Sequence, residues 1–441
     1  MRRSSLLLLV LAGCSSEQVL EHDLEPIALA RAPVEPGGAT SGGLLAQVST
    51  VAGLEPLLVD SGFPLDSLAR NGCASPVAPG WTYSGTLDVR DGVATGAPVR
   101  ASFRNVGLFD LCPGPSGDAT IQAAGVLGGP LLANFIVGLE LPRDATSPAS
   151  MTLWPSLPGS DDQLAEAGFA ILHFDHRGSV SIAQGTGEAS LTLPSTRVAV
   201  AACAAPRAFA TTEAQETCAR GEVALKASGQ ELMLAVGTGE GPLILSESAW
   251  QRVAAQLGVA AAAGTAGDLY TPFSTSATAA RWVDLPRLAL FQGTTDSTWL
   301  GACTELARAR RIEWALANQA SGVCFQPCDA SGSSAVATRP YLELGGSLRV
   351  AVVSDSSDLI RSINADVPPW PEIDGIVGAG TLAGTSLRLD YLGTPTGRVI
   401  AVCEADSTRD RCWAAPSCAG ASAKGQNCFG LTAAGDTTIC P

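Results

Sequence analysis

A chain of 441 residues, 46% of them hydrophobic, is long enough for two or three cores and is not disordered by composition. Its formal net charge of −15 argues against nucleic acid, which rewards clustered Lys and Arg, and implies a soluble acidic surface. Forty-eight Gly and 28 Pro with few long amphipathic runs favour many short strands and turns.

The first residues address the compartment. Arg2 and Arg3 form a charged start, Leu6 to Leu11 a short apolar run, and Leu11-Ala12-Gly13-Cys14 has the form of a bacterial lipobox. Residues 1–13 are expected to be removed, leaving Cys14 to carry the lipid; the competing reading is an ordinary secretory signal. The run is too short to span a bilayer, which takes about 20 apolar residues. Ser15-Ser16-Glu17 carries no sorting Asp, which favours an outer membrane in a diderm cell. Residues 14–43, with Pro33, Pro36 and a Gly-Gly pair, read as a tether.

Next along the chain, Leu57-Leu58-Val59 runs as an apolar strand into Asp60-Ser61-Gly62. An aromatic hairpin candidate follows at Trp81-Thr82-Tyr83-Ser84-Gly85, then Val126-Leu127-Gly128. His173-Phe174-Asp175-His176 could suggest a metal or catalytic pair, but reads more simply as a polar hairpin turn between strands Phe169–Phe174 and Ser179–Ile182. In the second half, Leu234-Ala235-Val236 runs into Gly237-Thr238-Gly239, and Ile376-Val377-Gly378 follows far downstream. Between them Ser246 or Ser248 could cap a helix burying Ala249, Trp250 and Val253, and the Ala-rich run from Val253 is expected to stay helical to near Gly264.

A strand into Asp-Ser-Gly, followed at a distance by an apolar-apolar-Gly segment and then repeated, resembles the aspartic peptidases of the pepsin and retropepsin type. The resemblance covers roughly residues 45 to 402. It implies a mainly β, bilobal pepsin-like fold with short helices, an N-terminal lobe over 44–200, a C-terminal lobe over 201–402 and a Cys-rich tail over 403–441. In that family two carboxylates about 3 Å apart share a proton, one acting as base and the other as acid. Asp60 corresponds to the first. The second position is Gly237, which supplies neither, so the resemblance implies an inactive or weakly active homologue.

Three rescues are conceivable. Glu240 could supply the acid if the turn were remodelled, two copies of the Asp60 loop could pair in a dimer, or Asp60 could act alone as a weak base. Asp60 also reads as a plain turn residue bonding the backbone two positions on. The resemblance places Ser61, Gly62, Tyr83, Thr238 and Gly239 along the cleft between the lobes, with Tyr83 on a covering hairpin.

Thirteen cysteines less Cys14 leave an even number, compatible with disulfides in an oxidising envelope. Cys73 with Cys112, Cys203 with Cys218, and local pairs among Cys412, Cys418, Cys428 and Cys440 are reasonable pairings. Cys324 and Cys328 lack a second half for a metal site, and no metal or cofactor is expected. The sequence therefore points to an envelope lipoprotein held on a membrane through Cys14. It would be a pseudopeptidase binding peptide or polypeptide between its lobes, or a scaffold, with an active aspartic endopeptidase using Asp60 and a nonstandard second acid as the alternative.

Overall fold

Leu57, Leu58 and Val59 have no polar face to offer solvent, and strand Gly53–Val59 accordingly lies inside a sheet with all three buried. The computed structural model describes residues 18–19, 24–33, 41–50, 53–69, 81–92, 96–111, 123–144, 147–174, 179–183, 190–207, 229–269, 278–292, 301–307, 309, 340–365, 372–392, 397–415, 429–431 and 437–439. Strand Gly53–Val59 pairs antiparallel with Ser41–Thr50 on one side and parallel with Gly125–Leu127 on the other. Gly125–Leu127 also pairs with Ser67–Ala69, and that strand runs parallel to Val99–Leu111.

The second half repeats this wiring. Strand Gln230–Gly237 lies between antiparallel Val198–Ala205 and parallel Gly375–Gly378. Gly375–Gly378 pairs antiparallel with Leu243–Ser246, which runs parallel to Tyr341–Val353. Every residue of Val198–Ala205 is buried, as its unbroken run of Val, Ala and Cys requires. The chain has the mainly β, bilobal pepsin-like fold, with few short helices.

The two halves meet in an antiparallel sheet. Its strand order is Ile27–Pro33, Ala149–Trp154, Ile136–Leu141, Thr385–Asp390, Gly397–Cys403 and Ala170–Phe174. One hydrophobic cluster runs through both halves, including Leu57, Val59, Val137, Val198, Val236, Val377 and Leu389. Burial of this apolar surface is the main favourable contribution to folding, at about 25 cal/mol per Å².

Several boundaries differ from expectation. Ile27–Pro33, placed in the tether, is a strand whose Ile27 and Leu29 are 2% and 3% exposed; its apolar alternation outweighs the Pro and Gly that follow. Ala170–Phe174 and Val198–Ala205 pair with second-half strands, so the second half begins before residue 201. They pair there because each is apolar nearly throughout and must be covered on both faces. Strand Ser179–Ala183 pairs with Ser190–Pro194, and among the described residues it makes no pairing with Ala170–Phe174, which pairs with Gly397–Ala401. Asp175 and His176 lie outside the described residues.

Helix Glu247–Leu257 is capped by the Ser246 hydroxyl, which accepts from the Ala249 N–H, and buries Ala249, Trp250 and Val253 as expected. It stops at Gly258, whose φ of 67° lies in the left-handed region that glycine adopts freely, and not near Gly264. The Trp250 indole N–H then donates to the Ala261 carbonyl, anchoring the turn that leads to strand Thr265–Leu269.

Disulfide bonds are present, in other pairings. Cys203 bonds Cys303, tying strand Val198–Ala205 to segment 301–307, and does not bond Cys218. Cys412 bonds Cys403. Strand Cys412–Ala415 pairs with Tyr341–Leu344, so the chain just beyond Cys403 belongs to the body of the second half, and further on, among the described residues, Phe429–Leu431 pairs with Thr437–Ile439. Cys14, Cys73, Cys112, Cys218, Cys418, Cys428 and Cys440 lie outside the described residues. Among the described residues no helix is long and apolar enough to cross a membrane.

Candidate functional site

Both loops end their strands in the same turn. The Phe63 N–H donates to the Asp60 carbonyl at 3.3 Å, and the Glu240 N–H donates to the Gly237 carbonyl at 3.3 Å. Asp60 Oδ1 accepts from the Gly62 N–H at 2.9 Å, so the turn role read from Asp-Ser-Gly is real and coexists with the site. The glycine segments pass alongside. The Gly129 N–H donates to the Phe63 carbonyl, and the Ala379 N–H to the Glu240 carbonyl. A Cβ on Gly128 would lie 2.0 Å from the Leu65 carbonyl oxygen, and one on Gly378 would lie 2.5 Å from that of Glu240. Only glycine permits such an approach.

The loops are bolted together through their hydroxyl residues. Thr238 Oγ1 donates to the Val59 carbonyl at 2.8 Å and accepts from the Ser61 N–H at 3.1 Å. Ser61 Oγ donates to the Val236 carbonyl at 3.3 Å. Ser61 and Thr238 are both fully buried, so they join the halves rather than line a cleft. Gly239 is buried as well and Gly62 half-buried, and both pack against Asp60. A Cβ on Gly239 would lie 2.7 Å from the Asp60 carboxyl carbon, and one on Gly62 would lie 3.5 Å from Gly237 Cα.

Tyr83 sits within strand Trp81–Arg90, paired with Leu108 of Val99–Leu111. The turn of this hairpin spans Asp91 to Pro98, where the Asp91 N–H donates to the Pro98 carbonyl, so Tyr83 is far from the tip expected of a covering hairpin. The turn forms there because Gly92 and Gly96, both at positive φ, allow the chain to reverse. Its side chain lies outside the described residues.

Asp60 is 8% exposed. Its pKa is raised: burial outweighs the opposing N–H bonds from Gly62 and Gly239 and the field of Arg197. Arg197 reaches this region on the segment that crosses between halves, and its guanidinium donates to the Ile363 and Ser362 carbonyls at 2.8 and 3.1 Å. Tyr391 donates to the Ser61 carbonyl at 3.3 Å, and its pKa is raised by burial with a smaller contribution from Asp60.

Glu240 is the residue whose placement departs most from the sequence reading. The turn brings Glu240 and Asp60 to the same position beside Gly237. Its Cγ lies 3.8 Å, and Asp60 Oδ1 3.9 Å, from the point where a Cβ on Gly237 would stand. Glu240 is 8% exposed, and its pKa is pushed up to about 8, first by burial and then by the Asp60 charge. Asp66, which the sequence did not single out, is 5% exposed with its pKa pushed up to about 8 by burial. Its Oδ1 accepts from the Gly128 N–H at 2.7 Å, which makes it a support of the glycine crossing.

Neither protein-family models nor curated proteins match the chain. Among solved structures it is similar to basic 7S globulin from soybean, at 13% identity and a TM-score of 0.34, over 85% of this chain and 95% of that one.

Proposed function

We propose that the chain is an envelope lipoprotein of the aspartic-peptidase type, held on the membrane through Cys14, that takes an extended polypeptide between its two lobes. The observation that carries this reading is the pair of loops themselves. Asp60 stands at the meeting of the halves with N–H donors from both loops, and Thr238 and Ser61 lock the two turns in register. With Gly237 in place of a second aspartate, the ordinary two-aspartate reaction is unavailable. The favoured activity is therefore binding, or holding, of unfolded chain.

Titration of fluorescein-labelled, reduced casein with the full chain in detergent tests this by fluorescence anisotropy. Saturable binding is expected, weakened at least about tenfold by Gly62→Leu, because a side chain there projects between Asp60 and Gly237. Binding that is absent, or indifferent to a folded Gly62→Leu protein, would overturn the reading. For the anchor, Cys14→Ala is expected to move the protein from membrane to soluble fractions. Retention of that variant on membranes would contradict it.

A second reading, hydrolysis with a nonstandard second acid, is favoured by one observation: the placement of Glu240.

A further inference from the structure

We infer that a cavity beside the second glycine crossing, lined by Arg143, Arg349 and Arg411, binds the phosphate group of a phosphomonoester. The cavity has a volume of about 230 Å³, and Ser347 and Thr381 complete its polar lining. No aspartate or glutamate is among the described residues that line it. In a chain with 42 acidic residues against 27 lysines and arginines, three arginines around one acid-free hollow run against the composition. The volume is below the about 300 Å³ at which sites for whole small-molecule ligands begin, so it suits one charged end of a ligand.

Three separate segments deliver the arginines. Arg143 follows strand Ile136–Leu141, and its Nε lies 3.2 Å from the point where a Cβ on Gly384 would stand. Arg349 belongs to strand Tyr341–Val353, with its guanidinium carbon 4.9 Å from the centre of the Trp282 ring, which holds the planar group in place. Arg411 ends the loop that the Cys403–Cys412 disulfide closes, and its carbonyl accepts from the Gly345 N–H at 2.9 Å. Two carboxylates stand near the rim. Glu404 takes the backbone N–H of Arg143 at 3.0 Å, and Asp284 is opposite Arg349 in the ladder. Among the described residues no ion pair engages the guanidinium of Arg143 or Arg411.

The backbone beside the cavity is strained. Strand Tyr341–Val353 bulges where Pro286 alone faces both Gly346 and Ser347, and Ser347 has a φ of 66°. Among the described residues it is the one non-glycine at positive φ. Glycine would hold that turn at less cost, so the serine is retained for its hydroxyl, which the bulge sets at the cavity wall. The lining also decides the ligand's chemistry. A guanidinium fork pairs two N–H donors with two oxygens, and a phosphate dianion offers enough oxygens and charge to engage several forks and hydroxyls together. A carboxylate has two oxygens and one charge, too few for this lining.

A soluble phosphomonoester and the headgroup of phosphatidic acid share this chemistry. Glycerol 3-phosphate is titrated into the full chain in detergent by calorimetry, with acetate as control, and the Cys14→Ala chain is sedimented with phosphatidylcholine vesicles with and without phosphatidic acid. A net charge of −15 repels the chain from an anionic surface, so vesicle binding reports the cavity. Saturable binding is expected, weakened at least about tenfold by Arg143→Gln and by Arg411→Gln, both exposed and replaceable without loss of core. Ser347→Gly should raise the thermal midpoint while weakening the ligand, which a purely structural serine would not do. Glycerol 3-phosphate bound without the vesicles identifies a soluble ligand; sedimentation that requires phosphatidic acid identifies the lipid. Absence of binding to both, equal binding of acetate, or unchanged binding in the two arginine variants overturns the inference, and unchanged affinity in Ser347→Gly overturns the serine's part in it.

Discussion

Thr238 is the residue on which the two halves depend most locally. Thr238→Val keeps the shape but removes both the donor to the Val59 carbonyl and the acceptor for the Ser61 N–H. With those groups buried, the loss should cost about 1–3 kcal/mol, read from the midpoint of urea unfolding. An unchanged midpoint would mean that the halves are joined by packing alone. The two turns, Asp60-Ser61-Gly62 and Gly237-Thr238-Gly239, were legible in the sequence because a turn is a local object whose residue types are dictated over a few positions. Arg197, Asp66 and Tyr391 were not, since each acts through a contact far away in the chain and sits in no motif. Glu240 was noticed, but its direction depended on the turn that positions it, which only the fold reveals.

The strands and their glycine crossings were legible for a different reason. Apolar runs ending in Gly mark a place where two backbones must touch, and the repeated order of such runs exposed the twofold plan. Gly378→Ala tests that contact: its Cβ would stand 2.5 Å from the Glu240 carbonyl oxygen and 2.7 Å from that of Gly241. Overlap with backbone cannot be relieved by turning a side chain, so a loss of about 3 kcal/mol or more is expected in thermal or urea unfolding. Wild-type stability would contradict the crossing. The Cys203–Cys303 pairing and strand Ile27–Pro33, which joins Ala149–Trp154, stayed hidden because they depend on partners distant in sequence. Removing the Cys203–Cys303 link, which spans 100 positions, by Cys303→Ser should cost about 2–5 kcal/mol. Unfolding with and without reductant checks this, and reductant should do little further through this bond in the variant.

The molecule as a whole carries several buried carboxyl groups whose protonated forms are favoured on folding: Asp60, Asp66, Glu240 and Asp374 all have raised pKa values, with burial as the largest cause. The sign follows from proton linkage. Such groups bind protons more tightly when folded, so their contribution is complete below the unfolded value near 4 and fades as pH rises through the folded value, about 8 for Asp66 and Glu240. Urea midpoints should therefore fall between pH 4 and pH 8, and Asp66→Asn should flatten the slope. A midpoint that rises over that range would contradict the burial of these groups. The two-lobed plan was legible because duplication writes the same pattern twice; the boundaries were not, since the strands that close the shared sheet come from segments with tether-like or linker-like composition.

Calorimetric binding of an unfolded peptide to the full chain puts the proposed site at Asp60 to the most direct trial. Wild type is expected to bind one equivalent, and both Asp60→Ala and Gly62→Leu should bind at least about tenfold more weakly, because both change the surface where the two loops meet. Equal affinity in wild type and a folded Gly62→Leu protein, or no binding by wild type, would contradict it.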